Sequence, residues 1–418
     1  MKEKYKILML SDHALSTSGV GCQSRFLING LVDKGCWTVR QFGAAIKHTD
    51  YETAVVNEDF IIKPIDGFGN RDLILQTLAI EKPDVLFLFT DPRFFIWLFE
   101  MEDEIREVCP IAYWHVWDNY PTPTFNFPLY EATDLINCHS HLTYTMLKDH
   151  FPEKTNFVPH SLPDDLFYPM KESEIRKHKI DRLGPERKDH FVLFWVNRNA
   201  RRKRPNDVIL AWSEFLKKAA ADGEDVKATL LLHTDPQDQE GPNMLATVDS
   251  LGLKDSVVFS NQRVGFEEMN ALHNISDACI NISYAEGFGL ATLEAMQAGN
   301  PIIATKTGGL TRQVVDHRDG TENGVALPVE FQTLVGSQGV PFIYEDYSTT
   351  EAAADAILKL YKMPKTQRKA LGKKAHDYVM SEFRHQDTID KWSDTLKKLV
   401  EDWKDSPAKR WSFEEMNK

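Results

Sequence analysis

Short apolar runs rich in β-branched and aromatic residues alternate along the chain with longer stretches of helical periodicity. In the first half, the candidate strands span residues 5–10, 38–42, 85–89, 111–115, 135–138 and 156–158, and helical patterns lie near 22–33, 72–80, 94–108 and 142–150. The alternation starts again with candidate strands at 191–196, 228–233, 257–260, 278–283 and 302–305. Such alternation predicts an α/β fold with parallel sheets and helices on both faces.

A polar stretch, residues 171–189, interrupts this alternation, and we interpret it as a linker between two domains. A chain of 418 residues is long enough for two hydrophobic cores. We therefore predict doubly wound Rossmann-like domains at residues 1–175 and 190–375, with a ligand-binding cleft between them at the carboxyl ends of the strands. Residues 376–418 are predicted to form a helical tail. Its Trp392, Trp403 and Trp411 need apolar cover, so we expect the tail to pack back across the domain interface, with a partner-binding helix as the alternative.

Composition and charge narrow the class of protein. A formal net charge of -13 argues against broad binding to nucleic acid or anionic membrane. The five cysteines are scattered and lack metal-ligand spacing. The charged N-terminus does not resemble a signal peptide, and no apolar run approaches the length of a membrane span. These features predict a reduced, cytoplasmic protein.

Two glutamates, Glu286 and Glu294, bracket the segment with the strongest chemical signal. The pattern predicts a turn followed by a short helix, at whose start the amides of Gly289, Leu290 and Ala291 would form an anion site. Glu294 lies one turn into that helix and reaches back over the same end, because side chains tilt toward a helix N-terminus. Amides suit a diphosphate and carboxylates accept hydrogen bonds from ribose and sugar hydroxyls, so the segment predicts a nucleotide-sugar site.

A second glycine-containing loop, around Gly19 and Gly21, follows the first strand and opens a helix. It lacks the third glycine of a dinucleotide-binding fingerprint. A phosphate-binding loop and a tight turn that needs glycine for steric reasons therefore remain equal alternatives.

The segment from Glu286 to Glu294 resembles the Glu-x7-Glu motif of retaining glycosyltransferases of the GT-B fold, family four (group 1). The continuation, residues 295–309, and the strand-to-helix stretch 194–203 match the same family. The resemblance covers nearly all of the C-terminal half. It is thinner in the N-terminal half, where it depends on the Gly19 loop, His115 and residues 159–169.

This resemblance implies an acceptor-binding N-terminal domain and a donor-binding C-terminal domain. The implied reaction is retaining transfer of a hexosyl or pentosyl group from a nucleoside diphosphate sugar, with UDP or GDP as nucleotide, to a hydroxyl acceptor. It requires no separate cofactor. An Asp-x-Asp pair, the usual mark of metal-dependent glycosyltransferases, is absent from a strand end, which favours a metal-independent reaction.

The resemblance also assigns cations to the departing diphosphate. Arg198 and Lys203 would bind it, since a guanidinium offers a planar fork and an ammonium a compact charge. A solvated basic face is the alternative for residues 198–204. The chain departs from the family pattern at Asn197 and Arg204, where glycines are common, which leaves the backbone path of this loop open.

The remaining implied roles concern the sugar and the ribose. Glu286 would lie beside the transferred sugar, and Glu294 would bind the nucleotide ribose; the alternatives are an exposed turn acid and a charge that complements the helix dipole. Thr292 would place a hydroxyl near the phosphates or face the helix interior. His115 would lie near sugar and acceptor or be structural. No general base is assigned, because the leaving phosphate can take the acceptor proton on the same face.

Other functions use the same architecture. A nucleotide-sugar epimerase or a phosphorylase would need a further acid–base pair or a cofactor lysine, and neither is evident. A non-catalytic nucleotide-sugar or glycan-binding protein would have lost a donor-site residue, whereas Arg198, Lys203, Glu286 and Glu294 are all present. The acceptor stays open among a glycan, a lipid-linked sugar, a protein and a small molecule. A modified nucleic-acid base is disfavoured by the acidic background, and peripheral membrane contact and oligomeric state are open.

Overall fold

The computed structural model describes residues 4–45, 51–221, 223 and 225–405, and the chain divides into two compact units. The N-terminal unit holds the described residues within Met1–Trp117, Thr122–Ser161 and His385–Lys418. The C-terminal unit holds those within Asp118–Pro121 and Leu162–Arg384. The main passage from one unit to the other therefore follows Ser161, earlier in the chain than the boundary at 175 expected from the sequence.

The N-terminal unit is built on an eight-stranded sheet. In chain order its strands are β1 (Tyr5–Asp12), β2 (Trp37–Ala44), β3 (Ala54–Asn57), β4 (Phe60–Pro64), β5 (Val85–Phe89), β6 (Ile111–His115), β7 (Leu135–Cys138) and β8 (Thr155–Phe157). They lie in the order β3-β4-β2-β1-β5-β6-β7-β8, and the neighbouring pairs are parallel except for β3 with β4. The helices of this unit are α1 (Gly19–Asp33), α2 (Arg71–Glu81), α3 (Ile96–Phe99), α4 (Glu102–Arg106), α5 (Phe127–Glu131), α6 (His141–Leu147) and α15 (His385–Asp405).

The C-terminal unit is built on a six-stranded parallel sheet. Its strands are β9 (Phe191–Val196), β10 (Ala228–His233), β11 (Val257–Ser260), β12 (Ala278–Asn281), β13 (Ile302–Thr305) and β14 (Gly324–Leu327). The order β11-β10-β9-β12-β13-β14 is that of a Rossmann sheet. From β9, the chain adds strands first on one side and then, starting with β12, on the other, so the strand order reverses between β9 and β12.

Helices cover this second sheet, and a separate hairpin follows it. The helices are α7 (Glu172–Leu183), α8 (Pro205–Ala221), α9 (Met244–Ser250), α10 (Phe266–Asn274), α11 (Leu290–Gln297), α12 (Thr311–Val314), α13 (Thr350–Lys362) and α14 (Lys365–Glu382). The antiparallel hairpin consists of β15 (Phe331–Val335) and β16 (Ile343–Tyr347). The predicted α/β class, the two Rossmann-like parallel sheets and the C-terminal helices are confirmed.

Two details of the sequence interpretation are wrong. The stretch 171–189 is not a linker, because α7 occupies most of it and its Leu183 packs with Val192, Phe194 and Leu231 of the sheet. The helix is polar on its other faces, which explains why its composition resembles a linker. The predicted helix 94–108 is interrupted and gives only the short helices α3 and α4 after a 3₁₀ turn.

The C-terminal helix α15 supplies part of the core of the N-terminal unit. Trp392 is fully buried, with its ring centroid 4.8 Å from that of Phe87 and 5.1 Å from that of Trp114. Trp403 is half-buried, and Trp411 lies outside the described residues. The expectation that tail aromatics need apolar cover is thus confirmed for Trp392.

Candidate functional site

Two loops of the C-terminal unit meet where its strand order reverses. Residues 197–204 follow β9 and residues 282–289 follow β12, and the amide of Tyr284 donates to the carbonyl of Arg202 at 2.9 Å. The loop after β10 supports the first of these, since the Asn199 side chain donates to the carbonyl of Pro242 at 2.9 Å. Ligands of open α/β sheets bind at this position, outside the carboxyl ends of the strands.

A buried ion pair between Lys203 and Glu286 lies at the centre of these loops. The Lys203 ammonium donates to Glu286 Oε2, and the Asn281 side chain donates to the same oxygen at 3.4 Å. Burial by itself would raise the pKa of Glu286, but the charges of Lys203 and Arg202 and the hydrogen bonds lower it to about 2. Glu286 is therefore a carboxylate at neutral pH, in an environment made for that charge.

Sequence reasoning missed two charged residues beside this pair, Arg202 and Asp118. Arg202 Nη1 lies 4.0 Å from Glu286 Oε1 and 3.8 Å from Asp118 Oδ2. The signal for Arg202 was its place in a basic run, from which only Arg198 and Lys203 were selected. Asp118 follows His115 by three residues, and only the fold brings it into the C-terminal unit.

Arg198, the other cation expected at the diphosphate, is held at the edge of the same loop. Its side chain is 58% exposed, and its guanidinium donates two hydrogen bonds to Asp238, at 2.9 and 3.2 Å. The structure therefore brings Lys203 and Arg202 to Glu286 and places Arg198 against an acid of the neighbouring loop.

Arg204 resolves the question of the backbone path after Lys203. Its φ of 55° lies in the left-handed region that glycine adopts without strain, which accounts for the glycine common at this position. Hydrogen bonds from its guanidinium to the Ser348 carbonyl (2.9 Å) and to Asp207 (2.7 Å) offset the strain. Asn197 is the other position at which the chain departs from the family pattern, and its backbone is not in the left-handed region.

Helix α11 begins at Leu290, so its first amides have no acceptor within the helix. Gly289 precedes it with a φ of 94°, and a Cβ atom there would lie 2.5 Å from Leu310 Cδ2. Thr292 is fully buried and donates to Gln313 Oε1 at 2.5 Å. The hydroxyl thus links the turn at Gly289 to α12, and its place near the phosphates stays a prediction.

Glu294 lies one turn into α11 and is oriented by a histidine. His273 Nε2 is 3.2 Å from Glu294 Oε2, and the His273 side chain is fully buried, whereas Glu294 is partly exposed. A buried ring that hydrogen-bonds one carboxylate oxygen restricts the rotamers of Glu294 and leaves its other oxygen for a ligand.

The Gly19 loop belongs to the N-terminal unit and forms the start of α1. Ser18 caps this helix by accepting from the Gly21 amide at 3.0 Å. A Cβ atom on Gly21 would lie 2.2 Å from Ser16 Oγ and 2.6 Å from the His13 carbonyl oxygen. Close packing of the turn is a sufficient reason for glycine at position 21.

His115, at the end of β6, is fully buried in the N-terminal unit. Its Nε2 lies 2.8 Å from the hydroxyl of Tyr130. Burial, together with the nearby His139, keeps the pKa of His115 well below its ordinary value, so the ring is neutral. The role of His115, near sugar and acceptor or structural, stays a prediction.

In residues 4–45, 51–221, 223 and 225–405, no helix is both long and apolar enough to cross a membrane. The same residues contain no group of three or more His, Cys, Asp or Glu side chains placed to hold a metal ion.

Comparison with known proteins gives a family model and curated relatives that each match part of this chain. Residues 176–378 match the family model of glycosyl transferases group 1. The D-inositol 3-phosphate glycosyltransferase of Salinispora arenicola is 32% identical over 141 residues, which cover 33% of this chain and 31% of that protein. The N-acetyl-alpha-D-glucosaminyl L-malate synthase of Bacillus anthracis is 25% identical over 269 residues, or 63% of this chain and 59% of that protein. The chain thus aligns with less than two thirds of the length of either relative.

Solved structures share the fold over almost the whole chain. Sucrose-phosphate synthase from Thermosynechococcus elongatus superposes with a TM-score of 0.71 at 18% identity and covers 96% of this chain and 100% of its own. Anabaena HepE in complex with UDP and glucose superposes with a TM-score of 0.69 at 18% identity, covering 94% and 100%. The chain has the GT-B fold, and the match of residues 176–378 to the group 1 model supports a glycosyltransferase.

Proposed function

We propose that the protein is a retaining glycosyltransferase that moves a sugar from a nucleoside diphosphate sugar to a hydroxyl acceptor. The observation that carries this proposal is the buried Lys203–Glu286 pair, which lies at the strand-order reversal of the C-terminal unit. At that position the cation can stabilise the charge of a departing phosphate, and the fixed carboxylate can accept hydrogen bonds from the hydroxyls of the sugar.

The cations of this unit stabilise the leaving group. A departing nucleoside diphosphate gains negative charge, and Lys203, Arg202 and the amides at the start of α11 provide preorganised positive charge. Arg198, on the same loop, can exchange Asp238 for a phosphate, because its guanidinium is exposed. These groups provide the stabilisation that a metal ion supplies in other glycosyltransferases, so the proposed reaction needs none.

Glu286 acts by its charge and not as an acid. With a pKa of about 2 it holds no proton at neutral pH. Its carboxylate accepts hydrogen bonds from sugar hydroxyls and stabilises the positive charge that develops at the anomeric carbon. The acceptor hydroxyl loses its proton to the leaving phosphate oxygen as the new glycosidic bond forms on the same face. This route accounts for retention without a general base. Glu294, oriented by His273, binds the ribose.

The proposal names a first donor to test but leaves the acceptor open among several hydroxyl compounds. Among the solved structures with this fold, one Anabaena protein holds UDP-glucose, so UDP-glucose is the first donor to test, followed by GDP-sugars. The N-terminal unit is the proposed acceptor domain. The acceptor is one of the hydroxyl compounds named above, and a small hydroxylated molecule has the support of relatives named for inositol phosphate and malate.

Donor binding and turnover test this function directly. Wild-type protein is incubated with UDP-, GDP- and ADP-sugars, and free nucleotide release and thermal stabilisation are measured; a ligand at 100 times its Kd adds about 2.7 kcal/mol of stability. Lys203→Ala and Glu286→Ala should abolish turnover, whereas Lys218→Ala, a matched surface variant of the same unit, should not. Absence of binding and of turnover with all donors would disprove the transferase, and full activity of both site variants would disprove the site.

A further inference from the structure

The four residues Asp118–Pro121 belong to the C-terminal unit, although strand β6 before them and residue 122 after them belong to the N-terminal unit. The Asn119 side chain, 2% exposed, donates to Asp346 Oδ2 at 2.7 Å and to the Tyr344 carbonyl at 3.1 Å. The amide of Tyr344 donates in turn to the carbonyl of Tyr120 at 2.7 Å. We call these contacts the Asn119 clamp.

The clamp is rigid because Asp346 is itself fixed. Its Oδ2 accepts from the hydroxyl of Thr307 at 2.6 Å, and its Oδ1 accepts from the side chain of Gln332 at 2.6 Å. Gln332 and Asp346 lie on the two strands of the β15–β16 hairpin. The hairpin therefore holds the segment 118–121 on the C-terminal unit through buried hydrogen bonds.

The clamp places Asp118 beside Glu286. Both carboxylates approach Arg202 Nη1, at 3.8 and 4.0 Å, so they lie at most about 8 Å apart. Their backbones also meet, since a Cβ atom on Gly308 would lie 2.7 Å from the Asp118 carbonyl oxygen and 1.9 Å from that of Glu286. Asp118 is thus fixed to the loop that carries the central carboxylate.

The Asp118 carboxylate serves the fold little. Its side chain is 40% exposed, and 3.8 Å to Arg202 is longer than a hydrogen bond. A surface ion pair of this kind contributes about 0–1 kcal/mol. The buried Asn119 side chain makes the structural hydrogen bonds, and among the described residues the Asp118 carboxylate has only the 3.8 Å ion pair with Arg202.

We infer that Asp118 is a sugar-binding residue, which accepts hydrogen bonds from hydroxyls of the transferred sugar and selects the donor by its sugar. The inference depends on the function proposed above and extends it to specificity. Two carboxylates that both approach Arg202 Nη1, at 3.8 and 4.0 Å, can contact the same small ligand, and ionised acceptors make the stronger hydrogen bonds to hydroxyls. Because Asp118 belongs to the C-terminal unit, it lies on the same unit as the proposed donor site. Asn119 is a positioning residue that acts through Asp118.

The test separates sugar recognition from nucleotide recognition. Wild type, Asp118→Asn, Asn119→Ala and the surface control Asp355→Asn are titrated calorimetrically with UDP, GDP and ADP and with UDP-glucose, UDP-galactose, GDP-mannose and ADP-glucose. For the donor that wild type binds best, Asp118→Asn should weaken binding and lower kcat/KM about 10- to 100-fold, while the free nucleotide binds within about twofold of wild type. Asn119→Ala should show the same sugar-specific loss.

Each result has one meaning. If Asp118→Asn weakens the free nucleotide as much as the sugar nucleotide, Asp118 acts through Arg202 on the phosphates and the inference is overturned. If neither is weakened, it is overturned as well. If wild type binds none of the sugar nucleotides, the proposed function itself has failed, which is a different outcome from an unaffected variant.

Discussion

Replacing Glu286 by glutamine should destabilise the C-terminal unit by about 3 kcal/mol. The side chain is 11% exposed, and Lys203 and Arg202 overcome the effect of burial and lower its pKa from the ordinary 4.5 to about 2. One pKa unit corresponds to about 1.4 kcal/mol, so this shift amounts to about 3 kcal/mol of interaction with the ionised form. Removal of one partner from a buried ion pair costs about 3–5 kcal/mol, because the other charge is left uncompensated. The two arguments agree.

The reason for the loss is the Lys203 ammonium that remains, so its removal should restore stability. Lys203→Met alone should cost a similar amount, and the double variant should be more stable than the sum of the two single changes by about 2–3 kcal/mol. The double variant should nevertheless be inactive, because stability and catalysis depend on different properties of the same pair.

Calorimetry at pH 7, with hydrogen exchange of β9 and β12 to identify the unit, measures these changes. For about 230 residues each kcal/mol shifts Tm by about 2–4 °C, so Glu286→Gln should lower it by about 6–12 °C. Lys218→Met, which breaks the exposed Lys218–Asp355 pair at 2.5 Å, is the matched control and should cost about 0–1 kcal/mol. A shift for Glu286→Gln no larger than that of the control would refute the reasoning.

The same pair predicts how stability depends on pH. A carboxylate whose folded-state pKa is lowered contributes stability that is complete above its unfolded pKa of 4.5 and is lost as pH falls through the folded value of about 2. The difference in Tm between wild type and Glu286→Gln should therefore be constant from pH 8 to 5 and shrink between pH 4.5 and 2. A difference that grows on acidification would contradict the assigned ionisation.

Four further predictions concern other parts of the molecule. Trp392→Ala should cost about 3–5 kcal/mol in chemical denaturation and Trp403→Ala much less, because only the first ring is fully buried. Arg204→Gly should be more stable than Arg204→Ala by about 1–2 kcal/mol in the same assay, since only glycine removes the strain at φ 55°; equal stability would count against strain. NMR titration from pH 8 to 5.5 should show no protonation of His115, whose pKa burial lowers well below its ordinary value. Glu294→Ala should raise the donor KM more than it lowers kcat in steady-state kinetics, and the reverse pattern would argue against a ribose contact.

Much of the fold could be predicted because parallel strands are buried on both faces and appear as continuous apolar runs. The predictions for β5, β6, β7, β9, β10, β11 and β13 match the observed strands to the residue. Strands β3, β4, β14, β15 and β16 were missed. Of these, β3 and β15 lie at an edge or in a hairpin and carry exposed side chains. Residues 171–189 were misassigned as a linker because α7 has few apolar residues, so the hydrophobic pattern did not indicate a helix there.

The site could be predicted only in its local parts. The residues of the Glu286–Glu294 segment follow one another along a single loop and helix, so spacing was enough to group them. Asp118 could not be found in this way, because it is separated from Glu286 by 168 positions and reaches it only through the Asn119 clamp.

The sequence by itself determined the α/β class, the two Rossmann-like sheets and a glycine turn bracketed by carboxylates, since these depend on periodicity and short spacing. Tertiary structure decided which charges meet. It joined Lys203 to Glu286, turned Arg198 to Asp238 and buried His115 beside Tyr130. The physical reason is that a pKa, an ion pair or a free carboxylate depends on burial and on neighbours distant in the chain, and only the packed sheet brings these together.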